Sequence, residues 1–159
     1  MSGYTSGPTL AGFAAWLYAG GVPGVTATVL PANSTWITSA YEVAADIVGA
    51  WPGLVSTTMW NLMTYNLAAD NLINFAPDQT GQNFFTNLRV AYGITNATAV
   101  PQFVPGIVSS TSDNGTSTSL LNPDFMKEFT LSNLQNLKTP NGRIYLGYAQ
   151  RMGTVWGLT

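Results

Sequence analysis

The chain has 159 residues, 46% hydrophobic but only 8% charged, enough apolar material for one core and far less charge than the roughly 25% of an ordinary soluble domain. It contains no cysteine and no histidine, which excludes disulfides, thiolate metal sites, thiol nucleophiles and every histidine-based acid, base or ligand. Net charge is −2 and the five basic residues, Arg89, Lys127, Lys138, Arg143 and Arg151, are scattered, which argues against a nucleic-acid grip built on clustered Lys and Arg.

In chain order, Met1–Pro8 is rich in Ser and Gly and reads as a mobile arm. Thr9 is placed to cap a short helix reaching about Ala19, with Leu10, Phe13, Ala14 and Leu17 on one face. Gly20-Gly21 and Pro23-Gly24 stop it, so the apolar run from Leu10 to Val22 falls short of the roughly 20 residues that cross a bilayer. It also lacks the basic start of an export signal, so neither a membrane nor an export role is expected. Asn33 or Ser34 caps a second helix to about Ala50, on the spacing of Ile37, Tyr41, Ala44, Ile47 and Val48. A third helix is predicted from about Ser56 to Asn74, and Pro77 marks its exit. Asp78–Gln82 is a polar turn, followed by a short helix from Phe84 to Tyr92 with Gly93 as its C-terminal cap.

The second half is less regular. Ile94–Pro105 is punctuated by proline. Ile107–Leu121 is dominated by Ser and Thr around Asp113-Asn114-Gly115, and Asn-Gly is a strong signal for a hairpin turn. Such a hairpin is polar on both faces and supplies no core, so it either protrudes as a loop or pairs with an adjacent subunit, which makes Ser110, Asp113, Asn114 and Gly115 candidates for that contact. From Asn122-Pro123-Asp124 a helical segment carries Phe125, Phe129, Leu131, Leu134 and Leu137, with drifting spacing that predicts a break. Thr139 caps a last helix with Pro140 in its first turn, ending at Gly153. The expectation is a mainly α fold: one domain over 1–159, a small bundle of about five helices with a Ser/Thr-rich hairpin or loop at 106–121, C-terminal helices at 122–153 and a tail at 154–159.

Low charge with 5 Trp, 7 Tyr and 7 Phe suits a protein much of whose surface is covered by neighbours, although a weakly charged secreted β-protein has a similar composition. Trp16 and Trp156 are candidate anchors between subunits. Asp70, inside the third helix, reads either as an interface partner for Arg89 or Arg143 or as part of a solvated face. Glu42 and Asp46 share a helix face, but no third ligand accompanies them. The serines lack a residue to activate a hydroxyl, and no catalytic group, metal or cofactor is expected.

Three stretches, in order, carry a family resemblance: Met63-Thr64-Tyr65-Asn66-Leu67-Ala68-Ala69-Asp70-Asn71-Leu72-Ile73; Phe84-Phe85-Thr86-Asn87-Leu88-Arg89-Val90-Ala91-Tyr92-Gly93-Ile94; and Gly106-Ile107-Val108-Ser109-Ser110 leading to Thr139-Pro140-Asn141-Gly142-Arg143-Ile144-Tyr145-Leu146. Together they resemble the head–tail connector adaptors, or head-completion proteins, of tailed bacteriophages. Asn141 stands where that family usually has an aromatic residue, and the uncharged N-terminal extension is a further departure. The resemblance implies a helical subunit of a virion neck ring, expected to be twelve-fold, assembled in the host cytoplasm beneath the portal protein. It would join the next neck or tail protein and let DNA pass without specific binding. A tail-terminator-like virion protein, which would need a substantial β-sandwich, and a small carbohydrate- or host-binding module are the alternatives.

Overall fold

Serine and threonine set where the helices begin. In the computed structural model, which describes residues 6–49, 55–95, 110–113, 116–119 and 136–151, five α-helices are present among the described residues, and hydroxyl caps open four of them. Thr9 Oγ1 accepts from Gly12 N at 3.0 Å ahead of α1, Leu10–Trp16. Ser34 Oγ accepts from Trp36 N at 3.3 Å ahead of α2, Thr35–Val48. Ser56 Oγ accepts from Met59 N at 3.2 Å ahead of α3, Thr57–Phe75. Thr139 Oγ1 accepts from Gly142 N at 2.8 Å ahead of α5, Pro140–Arg151. Each bond satisfies an amide that the first turn leaves without an intrahelical partner.

The remaining helix, α4, Phe84–Ala91, is capped from a distance. Asn83 makes no side-chain cap; instead the Asp78 carboxylate accepts from Phe85 N at 2.6 Å and Thr86 N at 2.9 Å. The polar turn expected at Asp78–Gln82 therefore carries the anion that starts the next helix. After α4, Gly93 adopts φ 68°, the left-handed position of the predicted C-terminal cap. The first helix is shorter than its apolar pattern suggests. Beyond Trp16 the backbone widens into a π-helical turn, Leu17–Gly21, and breaks at Gly20 with φ 105°, a conformation that side chains with a Cβ seldom adopt.

The architecture is mainly helical, with α3 at its centre. Residues Met63 to Asp70 on α3 are buried without interruption, so no face of the helix's middle is left for water. Helix α2 packs on one side through Ile37, Ala40, Ala44 and Val48, and α5 on another through Tyr145 and Leu146. Each large apolar side chain so enclosed contributes about 1.5–3 kcal/mol relative to exposure. Phe13, Trp16, Tyr41 and Tyr65 form an aromatic cluster over the start of the chain, with ring centroids 5.8 to 6.2 Å apart. Strands β1, Ser110–Asp113, and β2, Thr116–Ser119, pair antiparallel with Ser110 opposite Ser119 and Asp113 opposite Thr116. The Asn114-Gly115 turn lies outside the described residues, as do the segment predicted from Asn122 to Leu134 and the tail with Trp156.

One expectation about the N-terminus needs correcting. Part of the predicted mobile arm is fastened down: Asn61 Nδ2 donates to the Ser6 carbonyl at 3.0 Å and the Tyr41 hydroxyl to the Pro8 carbonyl at 2.8 Å. Gly7 lies so close to the Trp60 ring that a Cβ there would come within 2.6 Å of it. Small residues here serve close packing; composition alone made the segment look unattached.

Candidate functional site

Helix α3 carries several polar side chains through the core. Thr64 Oγ1 donates to Trp60 O at 3.1 Å, Asn66 Nδ2 to Leu62 O at 2.8 Å and Asn74 Nδ2 to Asp70 O at 2.9 Å. Each returns to the carbonyl four residues earlier, the local bond that lets short polar side chains sit inside a helix. What these bonds leave over is used by α5. Asn141 Nδ2 donates to Asn66 Oδ1 at 3.1 Å and to the Gly21 carbonyl at 3.0 Å, joining α5, α3 and the π turn. The Thr139 hydroxyl donates to Asp70 Oδ1 while accepting from Gly142 N, so one hydroxyl caps α5 and fixes its start to α3.

This polar seam demands a glycine. A Cβ at Gly142 would lie 2.7 Å from Asp70 Oδ1 and would collide with the Asn136 carbonyl oxygen. Asp70 is 1% exposed. Burial pushes its carboxyl up to about 6, against the opposing pull of the Thr139 hydroxyl and the Asn74 amide.

The predicted pairing of Asp70 with Arg89 or Arg143 is not what forms, and the solvated-face alternative fails as well. Arg89 donates from Nε to Ile73 O at 2.7 Å and from Nη2 to Ala76 O, closing the carbonyl end of α3 with a positive charge where the helix dipole favours one. Its guanidinium stands 6.0 Å from the Phe85 ring centroid. Burial lowers the Arg89 pKa, opposed by the charge of Asp78. Burial pushes the Asp78 carboxyl up, but bonds from Thr86 and Phe85 and the charge of Arg89 outweigh this and hold it below its ordinary value. Arg143 is exposed and donates to Leu137 O at 3.1 Å.

The other candidates are dispersed. Trp16 is half-buried against Phe13 and Tyr65, so it serves the cluster within this chain. Ser110 and Asp113 lie on the paired strands; Asn114, Gly115 and Trp156 lie outside the described residues. The residues that sequence reasoning missed are Asn66, Thr139 as a bridge, and Asn141. The departure from an aromatic residue at Asn141 was the available signal, since a polar residue replacing an aromatic one requires a partner.

Among the described residues, two concave features flank α3. A cleft of about 380 Å³ is lined by Trp16, Gly21, Leu62, Asn141, Ile144 and Tyr148. On another face, an apolar groove of about 240 Å³ lies between α2 and α3, lined by Trp36, Val43, Asn71, Leu72 and Phe75. The Asn71 Nδ2 at this groove is buried and has no hydrogen-bond partner among the described residues. Among the described residues no three of His, Cys, Asp or Glu converge as a metal site would need, and no helix is long and apolar enough to cross a membrane. Compared with known proteins, the chain matches no protein-family model, no curated protein and no solved structure.

Proposed function

We propose that the chain is a structural subunit of a head–tail connector ring of a tailed bacteriophage. Twelve copies would sit beneath the portal, recruit the next neck or tail protein and leave a channel for DNA, without catalysis. The observation that carries this reading is that the described parts of the three stretches behind the resemblance, Thr139–Leu146 in the third, meet around one helix. Asn66 and Asp70 of the first bond to Asn141 and Thr139 of the third, and Arg89 of the second closes the end of α3. Motifs that look unrelated in sequence are thus the fastenings of a single helical frame, as expected of a subunit whose shape is its function.

The composition fits the same reading. A ring subunit offers two different faces to its neighbours, and a chain with so few charges has surface suited to being covered. Arg89 is spent inside the subunit, and the channel wall is expected to be neutral to mildly acidic, since a basic wall would retain DNA. A tail-terminator-like protein would call for a substantial β-sandwich; the described residues are mainly helical. The cleft beside Trp16 and Tyr148, with the Asn141 amide in its lining, favours the carbohydrate-binding module as a second reading, because aromatic rings and amides together suit sugars.

Electron microscopy of the purified protein, alone and mixed with portal-bearing heads, tests the proposal. Closed rings, or a collar added below the portal, are the expected result. A persistent monomer that ignores the portal and binds on a glycan array would overturn it in favour of the second reading.

A further inference from the structure

Charge is scarce in this chain, and over the described helices it is also segregated. The exposed acidic residues Glu42 and Asp46 both stand on α2; the exposed basic residues Arg143 and Arg151 both stand on α5. The remaining described charges in the helical frame are used elsewhere or fit the same division. Asp70 is buried, Asp78 and Arg89 face each other and the ends of helices, and Lys138 is half-buried just before α5.

The exposed large hydrophobic side chains divide in the same way. Trp36, Val43 and Ile47 on α2 and Phe75 on α3 are 42%, 50%, 50% and 60% exposed, and Ile144 on α5 is 48% exposed. On a helix turning about 100° per residue, Trp36, Val43 and Ile47 fall on one stripe of α2, between its buried face and its two acids. On α5, Arg143, Ile144, Gly147, Gln150 and Arg151 share the exposed face, and the Cβ position of Gly147 has nothing within 4 Å. The α3 residues that meet α5 or its cleft (Leu62, Asn66, Asp70) and those that line the α2 groove (Asn71, Leu72, Phe75) lie roughly 180° apart around α3. An acidic apolar surface and a basic apolar surface therefore occupy opposite sides of one subunit.

We propose that the occupant of the groove between α2 and α3 is α5 of a second copy of this chain. Ile144 of each copy enters the groove of the next, against Trp36, Val43 and Phe75, while Arg143 and Arg151 face Glu42 and Asp46. Gly147 lets the two helices approach closely. Such a contact joins two different faces, so it repeats in one direction and closes where the rotation between copies allows. Opposite charges select this pairing over either face meeting itself. The inference rests on the connector reading for its closed ring, but the contact stands or falls separately.

Because the chain has no cysteine, engineered thiols report without interference. The full-length variants Val43→Cys and Ile144→Cys, both altered at exposed positions, are mixed under mild oxidation and run without reductant. The expected result is a disulfide-linked pair in the mixture and none with either variant alone. Reversing Glu42→Lys with Asp46→Lys, or Arg143→Glu with Arg151→Glu, is expected to weaken self-association by about 100-fold in analytical ultracentrifugation. Mixing the two reversed proteins is expected to restore association, as copies that alternate, and combining all four changes in one chain to restore it without a partner. Closed rings that survive both reversals, with no disulfide in the mixture, would overturn this contact and leave the connector reading intact. A disulfide and a charge-dependent assembly without closed rings would support the contact and remove the ring. No self-association and no disulfide, with a collar still added to portal-bearing heads, would overturn the contact alone, and the same result with no collar would overturn both.

Discussion

Helix α3 is held on its two sides by different chemistry. Toward α2 the contact is apolar, Ile37, Ala40, Ala44 and Val48 against the helix, and many arrangements of similar volume would serve it. Toward α5 the contact near its start is polar: Thr139, Asn141 and Gly142 meet Asn66 and Asp70 in one arrangement. Apolar packing is forgiving about identity and demanding about volume. A buried polar seam is the reverse, since each donor left without its acceptor costs its full desolvation. The first side supplies stability; the second fixes where α5 starts and how it is aimed.

Substitutions can break this comparison or sharpen it. On the apolar side Ile37→Ala should cost about 4 kcal/mol in urea unfolding and Ile37→Val about 1 kcal/mol, the graded response of a cavity. On the polar side the response should be all or nothing. Thr139→Val, nearly the same volume, removes both the cap and the donor to Asp70 and should cost about 3 kcal/mol, whereas Thr139→Ser should cost less than about 1 kcal/mol. Equal losses for Val and Ser at position 139 would show that the seam matters only as packing.

The pH response offers a subtler separation. The folded-state pKa of Asp70 is raised from 3.8 to about 6. Between these values the folded protein keeps a proton that the unfolded chain releases, so the contribution to stability is present below the unfolded value and is lost as pH rises through about 6. Asp70→Asn should therefore gain about 3 kcal/mol over the parent at pH 8 and little at pH 4, read from urea titrations at the two pH values. A gain of equal size at both would remove proton linkage as its cause. The smallest effect is expected at Asp78, whose pKa is held below the ordinary value. Its contribution is present above the unfolded value and lost as pH falls through the folded one, the opposite slope. Asp78→Ala should cost about 1 kcal/mol through the loss of the α4 cap, seen as fraying in helix-sensitive hydrogen exchange.

The two sides also differ in how far the sequence disclosed them. The α2 contact is legible because Ile37, Ala44 and Val48 recur at the helical period, and so are the caps Thr9 and Thr139, with Ser34 one of two candidates, because their chemistry is local; Ser56 marks a helix start, and its capping bond appears only in the structure. The seam was not legible, because no spacing rule says that residue 70 meets residue 139. In sequence Asp70 reads either as a partner for arginines or as part of a solvated face, whereas burial gives it a hydroxyl and places Arg89 on backbone carbonyls. Asp78 was read as turn polarity for a related reason: its target amides lie seven and eight residues ahead, beyond the reach of a standard capping pattern. Residues 6–8 of the expected arm are fastened although composition suggests mobility, because Gly7 looks like slack in composition and is a close fit in space. The division of exposed charges between α2 and α5 needs the fold, since it depends on which side of α3 each helix occupies.

The bond between Thr139 and Asp70 also bears on how this protein is made. During synthesis the central helix emerges from the ribosome long before the residues that fasten it, so Asn66 and Asp70 wait without their partners while some seventy further codons are read. A message cut short before codon 139 yields a chain whose middle helix lacks its lock. Such a product would be a better substrate for proteolysis than the full-length chain. Fastening the middle helix with late residues thus ties the completed frame to residues synthesised some seventy positions after the helix they hold.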